Sequence, residues 1–179
     1  MSTEATGADV ITGTFEEAQT WIGKKSANKF NEIEVNRAMI QFYAASVEDA
    51  NPGYWDEEFA NNAWGSIVSP PGMLMVWGMT TDWNPMREEG EDSSTFDLPL
   101  PGTTLINVST ESEFFRHIKV GEILNSSNEI ISISPEKKTK LGIGHFVVTQ
   151  TTYRCGAGEK VATNTNTMFR YIPHGEANS

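Results

Sequence analysis

The sequence predicts an α+β domain in which an antiparallel β-sheet wraps around one central α-helix. Three observations support this prediction. Apolar residues recur at helical spacing in the first half of the chain, whereas apolar and polar residues alternate in the second half. Between the halves lies "SPPGMLMVWGMTTDW", which is apolar nearly all round over 70–81, and a helix with so little polar surface must be buried.

The first two predicted helices are recognised by the signals at their ends. Thr14 followed by Glu17 fits a capping box at the start of a short helix. Asn31 or Glu34 opens the next helix, whose apolar positions have amphipathic spacing. The Asn-Pro-Gly sequence at 51–53 closes it, because proline lacks an N–H donor and Pro-Gly favours a turn.

Two further helices are predicted before the sheet. A short one lies in "DEEFANNAW". The central helix has Ser69 as its N-cap and Pro70 or Pro71 at its first position, where the N–H has no partner in any case. Residues 82–104 then form an acidic connection rich in Pro and Gly, and loops of this length are usually functional or disordered.

Four segments of the second half have the alternation and the β-branched content of half-buried antiparallel strands. They cover 104–118, 122–136, 140–155 and 160–173. "KVGE" joins the first pair and "GAGE" joins the second, so both connections are predicted to be glycine-containing hairpin turns.

The length of 179 residues fits one domain, predicted at 13–173 between flexible ends at 1–12 and 174–179. A formal net charge of -11, from 13 basic and 24 acidic residues, argues against a nucleic-acid partner or an anionic membrane. Cys155 is the one cysteine, so neither an internal disulfide nor a thiol metal site is expected, which favours a reducing compartment. Because the sequence shows no secretory signal or membrane span, we expect a cytoplasmic protein.

Several segments together resemble a known family. They are "VNRAMIQFYAAS", "EDANPGYWDEEFA", "GSIVSPPGMLMVWGM", "FFRHIKVGE" and "LGIGHFVVTQTTYRCGAGEKVA", which occur in this order within residues 15–172. This arrangement resembles the MaoC-like hot-dog dehydratases, in particular their FAS1-like dehydratase subgroup. The resemblance implies a hot-dog fold, in which the sheet surrounds a central helix, and domains that associate in pairs with the acyl thioester at the boundary between them.

The resemblance also implies an activity. Family members with a complete site hydrate or dehydrate acyl thioesters of coenzyme A or acyl carrier protein, and their motif reads approximately G-D-x-N-P-L-H. The Asp and the His of that motif hold the water that adds to the double bond. In this chain Glu48 stands at the Gly position, Asp49 matches the Asp, and Tyr54 stands where the family has His.

Water addition to a 2-enoyl thioester requires a base, an acid and a donor that stabilises the enolate oxygen. Asp49 is the predicted base if burial raises its pKa, and the alternative is that it only caps the following turn. Tyr54 stays protonated near pH 7 and is predicted to orient a water. Gly72 is predicted to offer its N–H to the oxyanion, helped by the dipole of the central helix, because its missing side chain lets the thioester approach.

Five other residues complete the predicted site as substrate-binding residues: Asn51, Pro71, Met73, Trp77 and Arg116. Met73 and Trp77 have the alternative reading of core residues, although Met suits an adaptable acyl tunnel. Arg116 is a candidate partner for a phosphate of coenzyme A, and the alternative is an ion pair with a neighbouring carboxylate.

Three functions follow. The first is a subunit of an enoyl-CoA hydratase, acting on a bulky acyl group of the steroid side-chain type, whose smaller hot-dog partner supplies Asp and His in an α2β2 heterotetramer. The second is a self-sufficient homodimeric hydratase that uses Asp49 and Tyr54. The third is a non-catalytic acyl-CoA binding module. In each case coenzyme A belongs to the ligand, and neither a metal nor a separate cofactor is expected.

Overall fold

The computed structural model describes residues 10–31, 33–79 and 98–175. The helices are α1 (Phe15–Gln19), α2 (Arg37–Ser46), α3 (Pro52–Trp55) and α4 (Glu57–Trp64), followed by 3-10 turns at Pro71–Met73 and Val76–Gly78. The strands are β1 (Lys29–Phe30), β2 (Thr104–Phe114), β3 (Leu124–Ile133), β4 (Lys137–Lys138), β5 (Gly142–Cys155) and β6 (Lys160–Pro173).

The strands form one antiparallel sheet in the order β1-β3-β5-β6-β2, with β4 paired to β5. This order confirms the predicted antiparallel sheet and the "GAGE" hairpin between β5 and β6. The predicted "KVGE" hairpin is wrong, because β2 pairs with β6 and β3 pairs with β5. A local turn does form there, with Glu122 N donating to Lys119 O at 3.2 Å, but it lies within a crossover between strands that are not neighbours.

The predicted N-terminal cap is confirmed for α1 and is wrong for α2. The capping box at α1 is confirmed by reciprocal bonds between Thr14 and Glu17. Helix α2 is capped instead by Asn36, whose Oδ1 accepts from the N–H of Met39 at 3.0 Å. The predicted caps Asn31 and Glu34 are therefore wrong. Asn31 lies six residues before α2, and its backbone N–H donates to Leu124 O on β3, so it belongs to the edge of the sheet and does not cap the helix.

Helix α2 ends in a Schellman motif. The N–H of Glu48 donates to Ala45 O at 3.3 Å, and the N–H of Asp49 donates to Ala44 O at 2.8 Å. Glu48 has the left-handed φ of 55° that this position requires. The motif ends the helix before the Asn-Pro-Gly sequence, so the prediction that this sequence closes α2 is wrong. Pro52 is instead the first residue of α3, where its fixed φ suits a helix start.

Glycine in place of Glu48 is expected to stabilise the fold by about 0.5–1 kcal/mol. A side chain in the left-handed region costs about 1–2 kcal/mol, and removing it is partly offset because glycine gives the unfolded chain more conformational entropy. Thermal unfolding of Glu48→Gly should shift upward by roughly 1–4 °C. Glu48→Ala is the control, since it removes the carboxylate and keeps the strain. Equal midpoints for the two variants would contradict the strain argument.

The central segment is two 3-10 turns, and the continuous helix predicted for 70–81 is wrong within the described residues, which run to Met79. Its prolines supply no N–H donors and its two glycines each cost about 1 kcal/mol relative to Ala in a helix. Ser69 caps neither turn. Its Oγ accepts from Trp77 Nε1 at 2.7 Å and donates to Pro70 O at 3.2 Å.

The stretch before this segment is fixed to the crossover between β2 and β3. The N–H of Ser69 donates to Ile118 O at 2.8 Å, and the N–H of Val120 donates to Ile67 O at 3.1 Å. These bonds make a short antiparallel pairing outside the main sheet. The 3-10 turns therefore begin from an anchored backbone.

One face of the sheet carries the core. Leu124 and Ile130 on β3 point to the same side, as do Val147 and Tyr153 on β5, because each pair is an even number of residues apart. One end of this face packs against α2, α3, α4 and the 3-10 turns, and the other end packs against α1. The predicted burial of the central segment is confirmed for Met73, Leu74 and Trp77, which are at most 2% exposed.

The predicted flexible ends, 1–12 and 174–179, lie mostly outside the described residues, as does most of the predicted 82–104 connection. Near the N-terminal end, the buried guanidinium of Arg170 donates hydrogen bonds to the carbonyls of Ile11, Leu98 and Gly102. Arg170 thus joins the start of the described chain, the approach to β2, and β6. None of the described helices has the length and hydropathy needed to span a membrane.

Candidate active site

The Asp-Asn-Pro turn is held by its own side chains. Asp49 Oδ1 accepts from the N–H of Asn51 at 3.0 Å, and Asn51 Oδ1 accepts from the N–H of Gly53 at 3.0 Å. The N–H of Tyr54 donates to Asn51 O at 3.0 Å. Asp49 therefore has the turn-capping role through one carboxylate oxygen, while its other oxygen hydrogen-bonds to none of the described residues. The turn fixes the spacing between Asp49 and Tyr54.

The phenol of Tyr54 is buried beside this turn and is 5% exposed. Burial raises its pKa, the negative charge of Asp49 raises it further, and Tyr43 adds a smaller increase against a hydrogen bond from Asn51 that lowers it. A phenol whose pKa lies above its ordinary value of about 10 is protonated at neutral pH. Tyr54 can donate a hydrogen bond there, but it cannot take a proton from water.

Gly72 lies in the first 3-10 turn, on the surface of the described chain. Its N–H donates to no described residue, so it is available to an acceptor. A three-residue turn has no appreciable dipole, so the electrostatic help predicted from a central helix is absent. An ideal Cβ at Gly72 would lie 2.3 Å from the hydroxyl of Tyr43. The space expected for a thioester is thus filled in part by this phenol.

Tyr43 contacts the position of the predicted site residue Gly72, and the sequence reasoning missed it. It was counted only as an apolar position of α2. Helical spacing contained the signal, because Met39, Ile40 and Tyr43 lie on the inward stripe, whereas Phe42 points outward and is 81% exposed.

Asp49 also lines an open groove of about 470 Å³ on the outer side of the turn. Glu48 and Asp56 bring two more carboxylates to its wall, and Trp55 also lines it, donating from Nε1 to Asp49 O at 2.8 Å. Three carboxylates repel anions. The groove is consequently a poor place for the phosphates of coenzyme A.

The predicted binding residues of the central segment divide between surface and core. Pro71 is exposed next to Gly72, whereas Met73 and Trp77 are 2% and 1% exposed and pack into the core. The outward-facing methionines are Met75 and Met79, at 55% and 60% exposure. These two, which the sequence reasoning passed over, are the ones available to a ligand or a partner.

The guanidinium of Arg116 is paired with two carboxylates. Nη2 and Nη1 donate to the two carboxylate oxygens of Glu122 at 2.7 and 3.0 Å, and Nε donates to Glu159 at 3.0 Å. Glu122 accordingly raises the pKa of Arg116 further. No hydrogen bond or ion pair among the described residues links Arg116 to Asp49, Tyr54 or Gly72. The geometry favours the ion-pair alternative over a phosphate contact.

Known proteins resemble this chain in sequence and in structure. A sequence profile of the family described as FAS1-like, dehydratase domain region, matches residues 20–164. The probable enoyl-CoA hydratase alpha subunit of Thermomonospora curvata is 35% identical over 163 residues, which cover 87% of this chain and 51% of the relative. The chain therefore spans about half the length of this curated relative.

The solved structures share the fold. A chain of the ChsH1-ChsH2 complex from Mycobacterium tuberculosis superimposes with a TM-score of 0.73 at 23% identity, covering 89% of this chain and 96% of that chain. A MaoC-like dehydratase superimposes with a TM-score of 0.66 at 21% identity, covering 87% of this chain and 43% of that chain. The predicted hot-dog fold is confirmed. From the family profile, the chain belongs to the FAS1-like dehydratase family, and it shares its fold with a MaoC-like dehydratase.

Proposed function

We propose that the chain is a subunit of an enoyl-CoA hydratase and acts with a second hot-dog subunit that carries the complete Asp/His pair. The observation that carries this proposal is Tyr54. It stands at the position of the family's His, and it is buried and protonated, so one of the two residues that hold the water in the family is missing here. Asp49 alone remains of the pair.

The reaction joins hydroxide to the β-carbon and a proton to the α-carbon of the double bond. Between these events the negative charge rests on the thioester oxygen, and a preorganised donor there lowers the barrier. In this chain the free N–H of Gly72 is suited to that oxygen. Tyr54 is suited to hold a water or an acyl group by donation. The partner subunit then supplies the base.

Two uncovered surfaces support a partner. Strand β2 is an edge of the sheet formed by the described strands, and its residues from 107 to 114 are exposed, with Val108 at 50%. A long open edge with an apolar residue invites pairing with another strand. Met75 and Met79 are exposed on the central segment. The curated relative is named an alpha subunit, and the first solved structure is a complex of two named components, which agrees with a heteromer.

For the substrate we propose a 2-enoyl-CoA with a bulky acyl group of the steroid side-chain type, and for the assembly an α2β2 heterotetramer in the cytoplasm. The acyl class rests on the family resemblance of the sequence. Assays with enoyl-CoAs of increasing bulk test it. Preference for a four-carbon chain over a ring-bearing one would overturn the proposed class.

The need for a partner is tested by assaying the chain alone and after co-purification with a smaller hot-dog protein that retains the Asp and the His, sought first among the neighbouring genes. We expect turnover only in the complex. Within the complex, Asp49→Asn in this chain should change the rate less than about threefold, whereas loss of the partner's Asp or His should remove the roughly 100- to 10,000-fold contribution of an acid–base group.

Asp56→Asn is the matched control for that experiment, because Asp56 lines the same groove and Asn still caps α4. Turnover by the purified single chain that is abolished by Asp49→Ala would overturn the requirement for a partner.

A self-sufficient homodimer is the second candidate, favoured by the free carboxylate oxygen of Asp49. It predicts that Asp49→Asn and Tyr54→Phe each lower turnover of the single chain, and unchanged rates would exclude it. The third function, a non-catalytic binding module, predicts affinity for acyl-CoA in calorimetry without turnover in any assembly.

A further inference from the structure

Tyr43 and Gly72 are in direct contact, although they are far apart in sequence. The hydroxyl oxygen of Tyr43 lies 2.3 Å from the ideal Cβ position of Gly72, and the next ring carbon lies 3.2 Å from it. The phenol therefore points its polar end, not its ring face, at the residue whose N–H is free. No described residue hydrogen-bonds to this hydroxyl.

The distance places two donors beside one acceptor position. The backbone nitrogen and the Cβ position of a residue are about 2.5 Å apart, since two bonds of about 1.5 Å meet at about 110°. The Tyr43 oxygen consequently lies no more than about 4.8 Å from Gly72 N, given the 2.3 Å to the ideal Cβ. Two donors that each reach about 2.9 Å can share an acceptor when they are up to about 5.8 Å apart.

We propose that Tyr43 is a further substrate-contacting residue, which donates its hydroxyl hydrogen bond to the thioester oxygen that also accepts from the Gly72 N–H. This inference rests on the proposed function in that it takes an acyl thioester as the ligand. Because the two donors come from different elements, α2 and the first 3-10 turn, the oxygen is held between two anchored parts of the fold.

Tyr153 serves as the control that tests whether Tyr43 has only a packing role. Tyr153 also packs against a glycine of the central segment, since its Cε1 lies 3.0 Å from the ideal Cβ of Gly78. There the ring edge is nearer than the hydroxyl, at 3.5 Å. Tyr153→Phe therefore removes a hydroxyl from a similar Tyr-Gly contact without removing a proposed donor.

The kinetic test uses whichever assembly of the full chain hydrates 2-enoyl-CoA. Tyr43→Phe is expected to lower kcat by about 100-fold with little change in KM, at the lower end of the loss for an oxyanion donor. Tyr153→Phe should keep the wild-type rate. Gly72→Ala should displace the phenol, so adding Tyr43→Phe to it should cost less than tenfold more, because the two changes act on one interaction.

A spectroscopic test does not depend on turnover. The infrared carbonyl band of a bound saturated acyl-CoA, isotopically labelled at the thioester carbon, should shift to higher frequency in Tyr43→Phe and stay in place in Tyr153→Phe. An unchanged band and an unchanged kcat in Tyr43→Phe would overturn the proposal. If the wild type lacks hydratase activity but the band shifts, the contact stands and the proposed function fails.

Discussion

Replacing Tyr54 with His is expected to give the isolated chain a hydratase rate roughly 100- to 10,000-fold above the background seen without it, the contribution of one acid–base group. The reason is that the turn around the missing group is intact. Asn51 caps α3 as the motif requires, and one oxygen of Asp49 remains free beside it. An imidazole titrates near neutral pH, where the buried phenol does not. Initial rates with a 2-enoyl-CoA measure the effect.

The control for this gain is Asp49→Asn in the Tyr54→His background, which should return the rate to that of the wild-type chain. A Tyr54→His protein that folds, binds acyl-CoA and still fails to hydrate it would mean that the intact turn does not aim Asp49 at the substrate.

Replacing Arg170 with Met is expected to lower the free energy of unfolding by about 3 kcal/mol, since three carbonyls each lose a bond worth about 1 kcal/mol net. Arg170 is 1% exposed, and burial lowers its pKa. The three hydrogen bonds to carbonyls therefore offset the cost of removing the guanidinium from water. Thermal unfolding should shift downward by roughly 6–12 °C for a chain of this size.

Arg154→Met provides the comparison, because among the described residues the exposed Arg154 donates only to Gly158 O of its own hairpin. That change should stay within about 0.5 kcal/mol of the wild type. A loss of less than 1 kcal/mol in Arg170→Met would show that the buried cation is replaceable by an apolar side chain of similar length.

Local signals account for the parts of the fold that the sequence predicted. Thr14 and Glu17 cap α1 by bonding to each other, three residues apart. The hairpin of β5 and β6 pairs two strands that are adjacent in sequence and joined by a glycine turn. Asp49 and Tyr54 are placed together by a turn of six residues. Each of these features is decided within a short stretch of chain.

The remaining features depend on contacts that the sequence does not display. The "KVGE" turn forms, but β2 and β3 on either side of it do not pair with each other, because each pairs with a strand from the second hairpin. Asn31 has the right chemistry for a cap, but β3 claims its backbone. Ser69 is likewise taken by Trp77. In the site, Tyr43 and Gly72 are in contact although they lie on elements far apart in sequence. Arg116 was predicted to bind a phosphate because the sequence does not show that Glu159, 43 residues away, pairs with it.

The ion pairs of Arg116 with Glu122 and Glu159 restrain the backbone near Gly72. They tie the crossover to the turn between β5 and β6, and the crossover in turn pairs with the stretch that leads into Gly72. A shift of the Gly72 amide would have to carry the crossover and that turn with it. Under the proposed function, the amide is thus preorganised for the thioester, and binding would spend little free energy on ordering it.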